Sequence, residues 1–479
     1  MKLSPVIAAL LCAAFAAAAP DVRAQAQSPL AAVQAPAPLS DAETAVLAAA
    51  LGRAGEQGLA RPGDAALLAS LAGPARESAR AALRLRMIDY GRELRTGRVD
   101  PIKVDKRWTV RQPPYDAAAG FEAARASGLS AWLADLAPQT LTYRVLVAIR
   151  PRYQALAAQG GWTPLPAKST PEQLRARLQA EGYLPTAAAA AATAAPAPAG
   201  PAPAELDPVL TQALAEFQAH HGLKPDGALG AATRRALNVS VQARLAQIDV
   251  NLERQRWLPR IPSDRRIEVD AGQQMAVLFA GGKPVLTMRV IVGAASEKRQ
   301  TPLFASAIQT IVLNPPWNVP ADIAALEILP HAASDPTYMA RRHYSYVGGR
   351  VVQAPGDDNA LGHIKFDFPS PFGVYLHDTN SRSLFAQDKR TLSHGCMRLE
   401  KPRELAQALL AGQGMTLEMI DAAIAEKSTR TITIAEPLPL QVTYTTITVA
   451  ADGGSISFLD DPYGWDAKLA AAMAQTAAR

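Results

Sequence analysis

The stretch Val374–Arg398, VYLHDTNSRSLFAQDKRTLSHGCMR, holds two of the chain's seven histidines, His377 and His394. It also holds the only cysteine beyond the first dozen residues, Cys396. Val374 to His377 has the character of a strand. SHGCMRLE (393–400) leads into a helix whose first position suits Pro402. A thiol, two imidazoles, a glycine beside the thiol and an arginine two residues beyond it form the inventory of a cysteine nucleophile with base and oxyanion donors.

Attack on an amide carbonyl needs a thiolate, a base that later protonates the leaving amine, and donors for the oxyanion. Cys396 supplies the first, and either His377 or His394 qualifies as the base. In an extended segment His394, Cys396 and Arg398 share one face, and His377 faces them from a separate strand. Gly395 leaves room for substrate, and the amides of Gly395, Cys396 and Met397 are candidate oxyanion donors. Arg398 is suited to a substrate carboxylate. The rival reading makes His377, His394 and Cys396 zinc ligands, but it lacks an evident fourth ligand and a recognisable spacing, so no metal or other cofactor is expected.

Around this stretch the hydrophobic period is two. RIEVDAGQQMAVLFAGGKPVLTMRVIVG (266–293) alternates, with a Gly281-Gly282 hairpin signal, and IQTIVLNPPWNVP (308–320) adds a strand closed by prolines. A mixed segment, about 321–366, is expected to ride over the sheet as a capping insertion. Residues 265–425 are thus predicted to form a mostly β catalytic domain. Residues 426–479 add C-terminal strands and a helix, and 239–264 form a connecting helix.

Upstream the period is helical. Residues 39–167 are predicted to be a helical scaffold, opened by a capping box at Ser40 and Glu43. Residues 168–238 read as a small three-helix bundle interrupted by an Ala/Pro tract at 186–204. His220 and His221 are adjacent on a helix, point different ways, and are expected to be a solvated pair. Overall this is an α+β multidomain chain.

The N-terminus, MKLSPVIAALLCAAFAAAAPDVRA (1–24), has a basic start, an apolar run and a small-residue exit. It reads as a signal peptide leading to the periplasm, with an uncleaved inner-membrane anchor as the runner-up. Residues 25–38 form a flexible tether. Removing residues 1–24 removes Cys12 and leaves Cys396 as a single thiol, which has no intramolecular disulfide partner. The formal charge of +6 is mild for 479 residues. With no Lys/Arg block, it excludes nucleic acid as a partner and suits an anionic polymer such as a cell wall.

HDTNSRSLFAQDKRTLSHGCMRL (377–399) resembles the signature of the L,D-transpeptidases with a YkuD-type catalytic domain. NLERQRWLP, MRVIVG, NPPWNVP, EILP and NALGHIKFDFPSPFGVYLHDTNSRSLF resemble that family's large Gram-negative branch. LRARLQAEGYL and FQAHHGLKPDGALGAATRRALN resemble a peptidoglycan-binding module.

The resemblance implies that Cys396 attacks the peptide stem of peptidoglycan at the third-position diamino acid. D-Ala is released, a thioester forms, and an amine of another stem resolves it into a 3→3 cross-link. It makes His377 the general base and His394 an auxiliary. Gly395 becomes an oxyanion donor, and Ser393, Arg398, Tyr375 and Trp317 line the substrate site. Two departures from the family pattern are His377-Asp378, where many members have His-Gly, and the imidazole of His394. The implied partners are stem peptides and glycan, other wall-synthesis proteins, and carbapenem β-lactams as covalent inhibitors. The same site would serve an L,D-carboxypeptidase or an enzyme attaching protein to the wall. A wall-binding protein without catalysis is the non-enzyme alternative.

Overall fold

The structure is a computed structural model that describes residues 37–185, 206–260 and 262–477. The expected signal peptide, nearly all of the tether and the Ala/Pro tract lie outside these residues. Among the described residues no helix is long and apolar enough to cross a membrane.

The N-terminal helices pack as their periodicity demands. Ser40 and Glu43 close a reciprocal capping box at the start of Asp41–Gly52. That helix shares a core with Arg76–Thr96, Ala117–Ser127 and Leu129–Leu136, built on Leu47, Leu83, Met87 and Phe121. Next come the helices Pro171–Glu181, Pro208–Ala219 and Ala231–Leu237. Their shared core of Leu174, Leu178, Leu214, Phe217 and Leu237 makes them one bundle on both sides of the Ala/Pro tract.

The expected solvated histidine pair is corrected. His221 is buried, its ring stacked 3.8 Å from that of Phe217, and Nδ1 lies 2.7 Å from the Phe217 carbonyl. An aromatic contact on Phe458 completes its packing and docks the bundle on the C-terminal segment.

The remainder is built on strands β1 (Arg266–Asp270), β2 (Met275–Ala280), β3 (Lys283–Gly293), β4 (Phe304–Leu313), β5 (Trp317–Asn318), β6 (Tyr344–Val347) and β7 (Arg350–Gln353). They are followed by β8 (Ile364–Asp367), β9 (Leu376–His377), β10 (Thr391–Ser393), β11 (Met397–Leu399), β12 (Arg430–Thr443), β13 (Ile447–Val449) and β14 (Ile456–Phe458). The main sheet runs β10-β3-β11-β9-β8-β4-β12-β1-β2, and β2 also pairs with β3, so the sheet closes on itself as a barrel. The β2–β3 hairpin turns at Gly281-Gly282, both with positive φ. Inward residues such as Ile267, Val290, Ile311, Phe366, Leu376 and Met397 fill the core.

Two sequence-derived boundaries move. β12 lies between β4 and β1, so the barrel needs a strand that a boundary at residue 425 had placed outside it. The capping insertion starts earlier and ends earlier than 321–366. Its three-stranded sheet β5-β7-β6 begins at Trp317, while β8 is already a barrel strand. Both errors arise because a strand's partner is distant in sequence and invisible to local periodicity.

Scaffold and barrel share one interior. Trp108, only 1% exposed, enters the barrel core beside Trp257 and Trp465, with ring centroids at 6.1 and 5.2 Å. Its strand-like segment pairs with Leu303, immediately before β4, through Thr109 N–H to Leu303 O at 2.8 Å. Trp108→Ala removes this plug and leaves a cavity where three segments meet, at a cost of about 3–5 kcal/mol. The expected outcome is a clear fall in the thermal midpoint with faster proteolysis between scaffold and barrel. An unchanged midpoint would show that Trp108 bears no such load.

Candidate active site

The geometry of the site comes from the pairing of β9 with β11. These strands run parallel with Met397 opposite Leu376 and Arg398 opposite His377, and Met397 N–H donates to Tyr375 O at 3.1 Å. Side chains alternate across a strand. Leu376, Met397 and Leu399 therefore point into the core, fully buried, while Tyr375, His377, Cys396 and Arg398 gather on the opposite face. β8 adds Lys365, opposite His377, with its ammonium 4.5 Å above the Tyr375 ring. The rings of Tyr375 and His377 meet edge to face at 5.5 Å.

Cys396 sits just after a sharp turn and not in the extended segment expected from the sequence. Gly395 has φ +116°, a conformation that L side chains rarely adopt. Ser393 Oγ braces the turn, donating to Cys396 O at 2.6 Å and accepting from Gly395 N–H at 3.1 Å. Ser393 is buried, and its place is underneath the turn rather than against a substrate.

Gly395 N–H is thus already spent, which corrects its assignment as oxyanion donor, and Met397 N–H is spent in the ladder. Among the described residues the Cys396 N–H has no acceptor, and it is the donor left for an oxyanion. From below, Thr301 donates its hydroxyl to Gly395 O at 2.9 Å and accepts from Gly293 N–H at 2.9 Å.

Burial sets the electrostatics. His377 is 4% exposed, and its pKa falls to about 3, first through desolvation and then through the charge of Arg398. Burial pushes the Cys396 thiol up, while the backbone and hydroxyl of Tyr375 and the charges of Arg398 and Lys365 pull it back. The resting pair is a neutral imidazole and a neutral thiol. Desolvation likewise lowers the pKa of Arg398. Its Nε has no hydrogen-bond partner, and no carboxylate among the described residues forms a salt bridge with it. A half-buried guanidinium without a counter-ion is a receptor for an anionic or carbonyl oxygen.

The other sequence-derived residues separate. His394 turns away from the thiol, with Nε2 2.7 Å from Glu327 Oε1 in the insertion. It therefore does not join His377 and Cys396 around an ion. Among the described residues no three His, Cys, Asp or Glu side chains gather as metal ligands. Trp317 is half-buried at the edge of the insertion's core, and its side chain meets the Tyr375 hydroxyl. Sequence reasoning missed Lys365, Thr301, Arg299 and Glu327. Only the ladder register brings Lys365 to this face, and no local motif marks the other three.

The electrostatics make a prediction. With the thiol raised, alkylation of Cys396 by iodoacetamide should climb about tenfold per unit from pH 6 to 8 without levelling. Arg398→Gln removes a charge that favours thiolate and should slow the reaction several-fold at each pH. Peptide mass mapping reads both, and a plateau near pH 7 would contradict the burial argument.

Comparisons with known proteins bear on the same residues. The family model described as "L,D-transpeptidase catalytic domain" (YkuD) matches residues 264–420. A "Scaffold domain" matches 36–148, and a "Putative peptidoglycan binding domain" matches 169–237. A Haemophilus influenzae protein described as "Putative L,D-transpeptidase" is 33% identical over 244 residues, 47% of this chain and 48% of that protein. The chain thus spans about half the length of that curated relative. Among solved structures, the L,D-transpeptidase (Yku) from Stackebrandtia nassauensis is 14% identical with a TM-score of 0.22, covering 59% of this chain and 98% of that one. The Ldtfm–avibactam carbamoyl enzyme is 15% identical with a TM-score of 0.20, covering 39% and 50%. Residues 264–420, which carry the Cys396 turn, thus match a YkuD-type L,D-transpeptidase catalytic domain, in one chain with segments that match a scaffold domain and a peptidoglycan-binding domain.

Proposed function

We propose that this protein is a periplasmic cell-wall L,D-transpeptidase that uses Cys396 as its nucleophile. The observation that carries the reading is the shared face of Cys396, His377 and an unpaired Arg398, with one free backbone donor at the nucleophile itself. This is what acyl transfer through a thioester requires.

The substrate is a tetrapeptide stem. A stem carboxylate pairs with Arg398 and offsets the positive field that opposes protonation of His377, so the base gains strength when substrate is bound. The thiol proton then passes to His377 while sulfur attacks the carbonyl carbon of the third residue. Cys396 N–H holds the oxyanion. Collapse breaks the C–N bond, and the His377 imidazolium protonates the departing amine of D-Ala. In the second half, an amine of another stem attacks the thioester, gives its proton to His377 and expels the sulfur, which regains a proton. The three-helix bundle is suited to keep the chain on glycan near its substrate.

Mass spectrometry of disaccharide-tetrapeptides incubated with the protein tests the reaction. The expected product is a dimer lacking one D-Ala, absent with Cys396→Ala and reduced at least about 100-fold with His377→Gln. Tripeptide monomers alone would replace the transpeptidase with a hydrolase, and unchanged substrate would leave a binding protein. A carbapenem should add its full mass to the wild-type chain, because the thiol opens the lactam without a leaving group. An adduct surviving Cys396→Ala would exclude Cys396 as the site attacked.

A further inference from the structure

Glu327 lies in the capping insertion, within the π-helical stretch Ala324–Ile328. π-helical turns are uncommon and are found often at functional sites. In this one, Ala324 and Ile328 stay in the insertion's own core, and Leu326 is 71% exposed. Glu327 reaches across to the barrel, where its Oε1 accepts from His394 Nε2 at 2.7 Å and from Arg299 Nη2 at 3.0 Å. His394 stands two residues before Cys396 in the nucleophile turn. Arg299 lies between β3 and β4, and its carbonyl faces the open side of Gly395.

Among the described residues the insertion shares no hydrophobic cluster with the barrel. Its core of Val319, Ile323, Ala324, Ile328 and Val351, with Trp317, Tyr338 and Tyr344 against it, contains no barrel residue. Other polar ties lie near its two stems. Asn359 Nδ2 donates to Pro315 O at 3.1 Å, and Asn380 Nδ2 donates to Asp358 O at 2.9 Å. The contact at Glu327 lies between the two stems in sequence and closes on the turn that carries the thiol.

We propose that Glu327 is a positioning residue that pins the capping insertion to the nucleophile turn through His394 and Arg299, and so sets access to Cys396. The proposal deepens the acyl-transfer reading of this cleft, but its test needs only the thiol. The quantity to measure is the ratio of Cys396 alkylation rates by a polyethylene-glycol maleimide and by iodoacetamide. Both reagents need thiolate, so the ratio reports access and cancels a change in ionisation.

Glu327→Ala should raise the ratio about fivefold, the size expected for losing partly exposed charged contacts, and His394→Ala should raise it less, because Arg299 still holds Glu327. The double variant should match Glu327→Ala, because the His394 contact is already lost with Glu327. Glu327→Gln keeps an acceptor oxygen at the same reach and should return the ratio to within about twofold of wild type. In turnover, Glu327→Ala should raise KM for the tetrapeptide more than it lowers kcat.

Unmoved ratios in the single variants, or effects that multiply in the double variant, would overturn the pin. A raised ratio in a protein that forms no dimers would sustain the pin and remove the reaction. Dimers formed with an unmoved ratio would do the reverse.

Discussion

The register between β9 and β11 is the constraint on which the chemistry depends. These strands are two and three residues long, yet their parallel pairing puts His377 beside Arg398 and carries Cys396 to Tyr375. A slip of one residue would send His377 into the core and bring Leu376 to the site. Such short strands cannot hold their register alone. Leu376, Met397 and Leu399 hold it by filling the barrel interior, and β3 and β8 flank the pair. The face that carries Cys396, His377 and Arg398 is precise because the opposite face is fully packed.

Burial gives the site its precision and also its resting inactivity. Removing water from His377 and Cys396 favours their neutral forms, and Arg398 adds a charge that stabilises thiolate while opposing imidazolium. The guanidinium therefore helps the nucleophile and hinders the base until its own charge is met. Substrate supplies that charge in the proposed reaction. The same binding event that orders the stem then restores the base, which keeps the thiol neutral and unreactive until substrate is bound.

Much of this was legible in local sequence. The capping box at Ser40, the Gly281-Gly282 hairpin and the S-H-G-C segment are short-range patterns whose physics is complete within a few residues. The contrast is β12, whose neighbours β4 and β1 lie more than a hundred residues away, and whose alternation alone does not say which sheet it joins. At the site, residue types were readable and directions were not. Gly395, Cys396 and Met397 all offer candidate donors in the sequence, but only the turn shows the Gly395 N–H bound to Ser393 and the Cys396 N–H left over. His394 and His221 share the same lesson. An imidazole's role follows from what faces it, Glu327 in one case and stacked aromatic rings in the other.

The helix Val241–Trp257 explains why so large a chain surrounds so small a site. Glu253 and Arg256 on it are fully buried and paired at 3.0 Å, Glu253 accepts from Val99 N–H, and Arg256 bonds to the Tyr143 hydroxyl. From other faces, Asn251 donates to Thr446 and Arg254 pairs with Asp466 in the C-terminal segment. A buried ion pair is poor value as a source of stability, since hydrophobic residues of the same volume often do better. Its worth here is directional, because these groups are satisfied only when scaffold, helix and C-terminal segment meet in one arrangement. That arrangement places Tyr463, whose hydroxyl donates to Gly293 O at 2.8 Å, directly beneath the Thr301 contact that supports Gly395. The chain of support therefore runs without a break from the scaffold to the nucleophile turn. An excised barrel would lose the outer links of that chain along with Trp108 from its core.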